Sequence, residues 1–196
     1  ESEGPFASPH ALWLASGVSG SALRTLALAD AFQSMRLDRQ HALWDIRALH
    51  GQALPLLDAQ RPEAPNTPLP KVSGAEKTRK DYTSVGLSLK AHPLTFLRPS
   101  LDKMGVVNAQ EVKDERRTAF GRRVAVAGLV LFRQRPGTAK GVMFMTIEDE
   151  TGRVDLIVRP DVYDRFREGA VYAKIVIAKG RVERRGSVVH VLAAEF

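Results

Sequence analysis

The chain has 196 residues, 44% of them apolar, and contains no cysteine, which excludes disulfides, thiolate zinc sites and cysteine nucleophiles. Its 29 lysines and arginines outweigh 22 aspartates and glutamates, giving a formal net charge of +7. This excess favours a polyanionic partner, with nucleic acid ahead of an anionic membrane surface. Because no membrane span, basic amphipathic helix or signal peptide is evident, we expect a cytoplasmic protein without a membrane partner.

Residues 1–50 are predicted to form a unit of helical hairpins. Gly17 and Gly20 interrupt the helical pattern between 10–16 and 21–49, and the pattern breaks again near Asp38, which is placed to cap the next helix.

The two glycines are typical of a helix-hairpin-helix turn, in which backbone amides bind a phosphate. Arg24 would lie one turn into the second helix, close to that phosphate. The alternative is that Gly17 and Gly20 only end one helix and begin another.

Residues 51–75 contain five of the eleven prolines and are predicted to be an extended linker. Residues 76–115 are predicted to be a helical connector. Its two short helices are expected at 76–84 and 93–103, the second with proline in its first turn.

Residues 116–196 show strand patterns and are predicted to form a barrel. The strands are expected at 124–133, 142–148, 154–158, 171–182 and 187–194, with a helix at 161–168. Three strands, a helix and two strands are the order of a five-stranded Greek-key barrel of the oligonucleotide- and oligosaccharide-binding (OB) type. The predicted fold class is therefore α+β, with helical hairpins, a proline-rich linker, connector helices and a C-terminal barrel.

The start of this barrel is strongly basic. Between Arg116 and Ile147 there is no acid, and the basic residues are Arg116, Arg117, Arg122, Arg123, Arg133, Arg135 and Lys140. Such a surface attracts phosphates without reading base identity. We take Arg122, Arg123, Arg133, Arg135 and Lys140, together with Arg159, as candidate nucleic-acid contacts. The alternative is an arginine-rich hairpin that only solubilises a β-domain.

The second strand supplies a candidate base-stacking residue. Alternation predicts that Met145 and Ile147 face the core, whereas Phe144 and Thr146 face outward. An exposed aromatic ring beside arginines stacks on bases, which contributes roughly 1–3 kcal/mol per base. Alternatively, a loop covers Phe144, or a one-residue shift in register buries it.

The acidic run Glu148–Glu150 has the composition of a metal site, but the following Thr151 and Gly152 favour a turn. In that turn Asp149 would accept hydrogen bonds from backbone amides, and Gly152 would have a positive φ. The histidines lack ligand spacing and no serine lies in a nucleophile motif. We therefore expect no catalytic residue, metal or cofactor in these residues.

Several segments match a known pattern. The most specific is 133–152, RQRPGTAKGVMFMTIEDETG; the others are LADAF (28–32), LDRQHALW (37–44), DY (81–82), GLSLKAHPL (86–94) and VVHVLA (188–193). Together they resemble the C-terminal region of the bacterial error-prone DNA polymerase, a damage-inducible relative of the replicative C-family polymerase α subunit. The resemblance covers nearly the whole chain. Arg36 stands where the family pattern predicts glycine.

The resemblance implies a non-catalytic, DNA-binding tail of a translesion DNA polymerase that acts in repair and replication of damaged DNA. The parent's nucleotidyltransferase chemistry and Mg²⁺ are expected in a palm domain outside these residues. Single-stranded or primer–template DNA is the implied partner, together with accessory translesion proteins that link to the sliding clamp. Two alternatives remain: a protein-docking module for accessory mutagenesis factors, and an anticodon-binding barrel of an aminoacyl-tRNA synthetase.

Overall fold

The structure is a computed structural model that describes residues 6–47, 49 and 68–196. It separates into two compact units, the first ending at Leu89 and the second comprising Lys90–Phe196. Among the helices of these residues, none combines the length and apolar character needed to cross a membrane.

The described part of the first unit is helical. Its helices are α1 (Pro9–Ser16), α2 (Gly20–Leu28), α3 (Arg39–Arg47) and α4 (Gly74–Val85). The predicted segment 21–49 is thus two helices, separated by a 3₁₀ turn at Gln33–Met35. Asp38 accepts hydrogen bonds from the amides of Gln40 and His41, both at 3.0 Å, so it caps α3 as predicted.

Apolar packing and one buried ion pair hold these helices together. The buried apolar side chains are Trp13, Leu23, Ala27, Phe32, Ala42, Ile46 and Leu49. Arg39 on α3 donates to Asp81 on α4, and both side chains are only 8% exposed. This pair links α4 to α3, and removing either partner would leave a buried charge.

The described end of the predicted linker belongs to the first unit, and the predicted connector is divided between the two units. Residues 51–67 lie outside the described residues, and 68–73 form neither helix nor strand. The predicted connector, 76–115, is divided after Leu89. Its second part contains a 3₁₀ turn (Pro93–Phe96), α5 (Arg98–Lys103), the short strand β1 (Val106–Val107) and α6 (Ala109–Lys113).

The second unit contains a closed barrel, which confirms the predicted α+β fold. Its strands are β2 (Arg123–Gln134), β3 (Met143–Asp149), β4 (Gly152–Val158), β5 (Ile175–Arg185) and β6 (Val188–Glu195). They neighbour one another in the order β2-β3-β4-β6-β5, and β2 pairs again with β5 to close the ring. The short strand β1 adds a parallel edge to β2.

The segment between β4 and β5 differs from the prediction. The structure has two short helices here, α7 (Pro160–Arg165) and α8 (Arg167–Val171), and β5 begins only at Ile175. The expected strand start at Val171 is therefore wrong. Its apolar residues belong to a helical turn whose Ala170 is fully buried in the barrel core.

Closure depends on β2, which pairs with β5 through its first half and with β3 through its second. Gly128 lies where β2 passes from pairing with β5 to pairing with β3, and a side chain at this position would point into the barrel. A Cβ atom there would lie 2.6 Å from the Cβ of Ile147, closer than side chains approach one another. Glycine at this position therefore lets the strands approach closely enough to close the barrel.

The acidic β3–β4 turn binds α5 and α6 to the barrel. Asp149 accepts from the amides of Thr151 at 2.7 Å and Gly152 at 3.0 Å, and Gly152 has φ +147°, which confirms the predicted turn. The other carboxylate oxygen of Asp149 accepts from the Ala109 amide of α6 at 2.7 Å. Arg98 of α5 binds Glu150 at 2.5 Å and Asp149 at 3.4 Å.

We expect Arg36→Gly to stabilise the first unit. Arg36 has φ +58°, a left-handed conformation that costs a side-chain-bearing residue about 1–2 kcal/mol. Glycine removes this strain but loses more chain entropy on folding, about 0.5–1 kcal/mol. The net gain in the free energy of unfolding should be up to about 1 kcal/mol, measured by urea denaturation. Arg24→Gly in the exposed part of α2 is the matched control and should lose about 1 kcal/mol.

We expect Asp149→Ala to lower the free energy of unfolding by about 3 kcal/mol or more. The substitution leaves three backbone amides without their acceptor and removes one carboxylate partner of Arg98. Asp161→Ala, which breaks only the exposed pair with Arg159 at 3.2 Å, should cost at most about 1 kcal/mol. Equal losses in the two variants would contradict the role assigned to Asp149.

Candidate nucleic-acid interface

Two phenylalanines are exposed on the outer surface of β2 and β3. Met145 and Ile147 are each 1% exposed in the core, whereas Phe144 is 40% exposed. The predicted alternation of β3 is therefore confirmed for these residues. Phe132 on β2 is 49% exposed.

The strand register brings these two rings close together. Phe132 is opposite Thr146, and Phe144 is opposite Gln134, so the phenylalanines are diagonal neighbours on one face. Diagonal positions of an antiparallel pair are about 7–8 Å apart. The rings therefore form one apolar surface shared by two strands.

A β-bulge explains why Phe132 faces outward. The register of β2 and β3 shifts between Val130 and Phe132, with Leu131 as the extra residue. Strict alternation from Val124 and Val126 would place Phe132 inside and Arg133 outside. The extra residue reverses both directions. Sequence reasoning missed Phe132 because no residue type marks this bulge.

Arg133 consequently lies in a structural position rather than in the exposed phosphate-binding one that the sequence predicts. Its Nε donates to the carbonyl of Ala170 at 2.6 Å, and its Nη2 donates to the carbonyl of Ala173. These carbonyls lie at the C-terminal end of α8. Partial burial lowers the pKa of the Arg133 guanidinium from its ordinary value. We therefore remove Arg133 from the candidate phosphate contacts.

The loop between β2 and β3 presents two of the predicted basic residues. Arg135 is exposed, lies over the ring of Tyr163 at 4.3 Å from its centroid, and donates to the Gly141 carbonyl at 3.1 Å. Stacking on a ring limits the rotamers of the arginine while leaving donors free. Lys140 is exposed at the next turn with φ +49°. Arg135 directly follows the strand that carries Phe132, and Lys140 lies later in the same loop, after the 3₁₀ turn at Gly137–Ala139.

Thr146 differs from its predicted role as an exposed contact. It is only 6% exposed, and its hydroxyl donates to Asp155 on β4 at 2.5 Å. Asp155 is opposite His190 on β6, and His190 is opposite Glu183 on β5, with their side chains 3.1 Å apart. Thr146, Asp155, His190 and Glu183 thus form one outward-facing polar row across four strands. This polar row offers carboxylates rather than cations, so it does not attract phosphate.

A second basic surface lies on β2, β5 and β6. It is a groove of about 760 Å³, and its basic lining residues are Arg122, Arg123, Arg159, Lys179 and Arg181. Arg122, Arg123 and Arg159 belong to the predicted set. Lys179 and Arg181 were missed, although their alternation with the buried Ala178 and Val182 would have placed them outside.

The predicted helix-hairpin-helix residues lie around the start of α2. Gly17 ends α1 with φ +65°, and Ser19 caps α2 by accepting from the Ala22 amide at 3.3 Å. Gly20 is the first residue of α2, and Arg24 is exposed one turn later. Phosphate binding by this turn stays a prediction.

No metal centre is found in the part of the chain that the structure describes, where no three His, Cys, Asp or Glu side chains are grouped to hold an ion. The carboxylates of Asp149 and Glu150 are instead bound by Arg98 and by backbone amides. Sequence proximity alone made Glu148–Glu150 a metal candidate.

The sequence of the barrel matches a known domain family. Residues 124–196 fit a family model described as an OB-fold nucleic acid binding domain. A solved structure of asparaginyl-tRNA synthetase from Pyrococcus horikoshii is 30% identical over 45% of this chain and 21% of that chain, with a TM-score of 0.37.

Similarity to curated relatives extends much further along the chain. Error-prone DNA polymerase 1 of Rhizobium meliloti (strain 1021) is 43% identical over 96% of this chain, and the error-prone DNA polymerase of Ruegeria pomeroyi is 41% identical over 96%. The error-prone DNA polymerase of Rhodopseudomonas palustris (strain HaA2) is 43% identical over 97%. In each case the chain spans 17% of the relative's length. The resemblance read from the sequence is thus confirmed: over nearly its whole length, this chain is similar to a segment of the error-prone DNA polymerases, and its residues 124–196 match an OB-fold nucleic acid binding domain.

Proposed function

We propose that this chain is the DNA-binding tail of an error-prone DNA polymerase and that its barrel holds single-stranded template. The observation that carries the proposal is the pair Phe132 and Phe144, exposed on adjacent strands within reach of two successive bases. Exposed aromatic rings next to cations are the usual means by which proteins bind single strands.

A single strand fits this surface better than a duplex does. Stacking on Phe132 and Phe144 requires unpaired bases, whose faces are accessible. Arg135 and Lys140, in the loop between β2 and β3, supply phosphate contacts, which carry no sequence information. We therefore expect binding with little sequence selectivity and a strong dependence on salt.

The remainder of the parent protein would carry the chemistry. This chain spans 17% of its polymerase relatives, and we propose that nucleotide transfer and its Mg²⁺ belong to the other domains. The tail would keep the template strand in place during synthesis past damaged bases. The turn at Gly17 and Gly20, with Arg24, is proposed as a second phosphate contact, suited to duplex DNA because it needs no unpaired base.

The competing function is a protein-docking module for accessory translesion factors linked to the sliding clamp. Exposed aromatic rings are also frequent in protein interfaces. The two functions differ in salt response, because phosphate contacts release counterions in proportion to their number.

We expect Phe132→Ala and Phe144→Ala each to weaken binding of a labelled single-stranded oligonucleotide by roughly 1–3 kcal/mol, because each removes one stacking surface. The salt dependence should change little, since neither residue is charged. Fluorescence anisotropy over a salt series measures both quantities. Phe120→Ala is the matched control, as Phe120 is 69% exposed but lies outside this face, and it should bind normally.

The double variant Arg135→Ala with Lys140→Ala should act through charge instead. Loss of two phosphate contacts should flatten the slope of log affinity against log salt by about 1.4 on the single-strand scale. Folded variants that keep both wild-type affinity and wild-type slope would favour the protein-docking function. Equal affinity for blunt duplex and single strand would transfer the DNA site to the helical hairpins.

We expect Arg133→Ala to act on stability rather than on DNA contact. It removes charged hydrogen bonds to the Ala170 and Ala173 carbonyls, each worth about 1.5–3 kcal/mol. The free energy of unfolding should fall by at least about 1.5 kcal/mol, whereas Arg135→Ala should change it by less than about 1 kcal/mol. A stable Arg133→Ala protein with reduced salt slope would restore Arg133 as a phosphate contact.

A further inference from the structure

A continuous row of outward-facing residues crosses the barrel from the exposed phenylalanines to the basic groove. Cross-strand pairing joins Phe144 to Ile157, Ile157 to Leu192, Leu192 to Arg181, and Arg181 to Arg123. The row therefore crosses β3, β4, β6, β5 and the start of β2. With adjacent strands about 4.8 Å apart, it extends over roughly 19 Å.

The far end of this row has an unfavourable charge arrangement. Arg123 and Arg181 are directly opposite each other on antiparallel strands, and both are exposed. Like charges in such a position destabilise a sheet. Within the described residues, no carboxylate forms an ion pair with either guanidinium.

The two carboxylates that line the same groove already have other partners. Glu195 binds Lys179 at 3.2 Å, and Glu183 lies 3.1 Å from the ring of His190. The groove thus contains five basic residues, while its two acidic ones are engaged with their own neighbours. An anion that entered the groove would relieve the repulsion between Arg123 and Arg181.

We propose that Arg123 and Arg181 form a phosphodiester-binding site for the same single strand that stacks on Phe144, so that the strand follows the row across the barrel. This inference rests on the proposed function, and it extends the DNA path to a groove on the opposite side of β4 and β6 from the phenylalanines. Ile157 and Leu192, both partly exposed, supply an apolar path between the two ends.

The neighbouring polar row restricts the path to one side. Asp155 and Glu183 also face outward, two residues from Ile157 on β4 and from Arg181 on β5, so the polar row runs parallel to the apolar row. Their carboxylates repel phosphates, whereas the row ending in Arg181 attracts them. The strand backbone is therefore kept on the side of Ile157 and Leu192.

The test compares Arg123→Gln and Arg181→Gln with Phe144→Ala and with a charge control. Arg79→Gln is that control, because Arg79 is an exposed arginine of the first unit with 70% of its side chain accessible. Affinity for a labelled oligothymidylate is measured over a salt series. Each groove variant should lose about five-fold in affinity at 0.1 M salt and about 0.7 in salt slope.

A second readout is the melting temperature without DNA. Arg181→Gln removes a like-charge contact, so the melting temperature should rise by about 1–5 °C even though binding weakens. A residue with a purely structural role would show the opposite change in stability. Inorganic pyrophosphate should raise the melting temperature of the wild type more than that of Arg181→Gln.

The outcomes separate the two proposals. Weaker binding by the groove variants and by Phe144→Ala, with the thermal shifts above, supports a single path. If Phe144→Ala weakens binding while both groove variants behave like Arg79→Gln, the groove site is overturned and the stacking function stands. If neither Phe144→Ala nor the groove variants differ from the control, both proposals are overturned.

Discussion

Closure of the barrel through a single strand is the constraint on which the second unit depends. β2 pairs with β5 and then with β3, so its backbone must turn from one partner to the other within one strand. Gly128 permits the close crossing, and the bulge at Leu131 takes up the change in register. The bulge also sets the direction of the two residues that follow it. Phe132 faces solvent and Arg133 faces the carbonyls of α8 because of this geometry.

An ion pair and a small apolar cluster cover part of the outer surface of the barrel. Arg98 binds the β3–β4 turn, and the segment around it, from the 3₁₀ turn through α5 to β1, packs Leu94, Leu101 and Val106 against Ala127 on the outside of β2. This second small core covers the middle of β2 and β5. On the outer surface, Phe144 of β3 is exposed and Ile157 of β4 and Leu192 of β6 are partly exposed, and all three lie in the row from Phe144 to Leu192.

Most of the barrel could be predicted from the sequence because strand alternation depends on local residue order. The inward direction of Met145 and Ile147 and the turn at Asp149 follow from neighbouring residues alone. The bulge, the short strand β1 and the late start of β5 depend on contacts between distant segments, and no local pattern encodes them. The candidate site was accordingly predicted in part: the exposure of Phe144 followed from alternation, the exposed Phe132 and Arg181 were missed, and Arg133 and Thr146 were assigned to the wrong environment.

The pairing of β2 with β5 has a consequence for folding kinetics. The β3–β4 hairpin joins residues close in sequence, whereas Arg123 and Arg181 meet across 58 positions of the chain. Contacts of such separation form slowly, because the intervening chain loses its freedom before the pairing stabilises it. Repulsion between the two arginines opposes that same step. An anion that neutralised the two guanidiniums would therefore accelerate this closure.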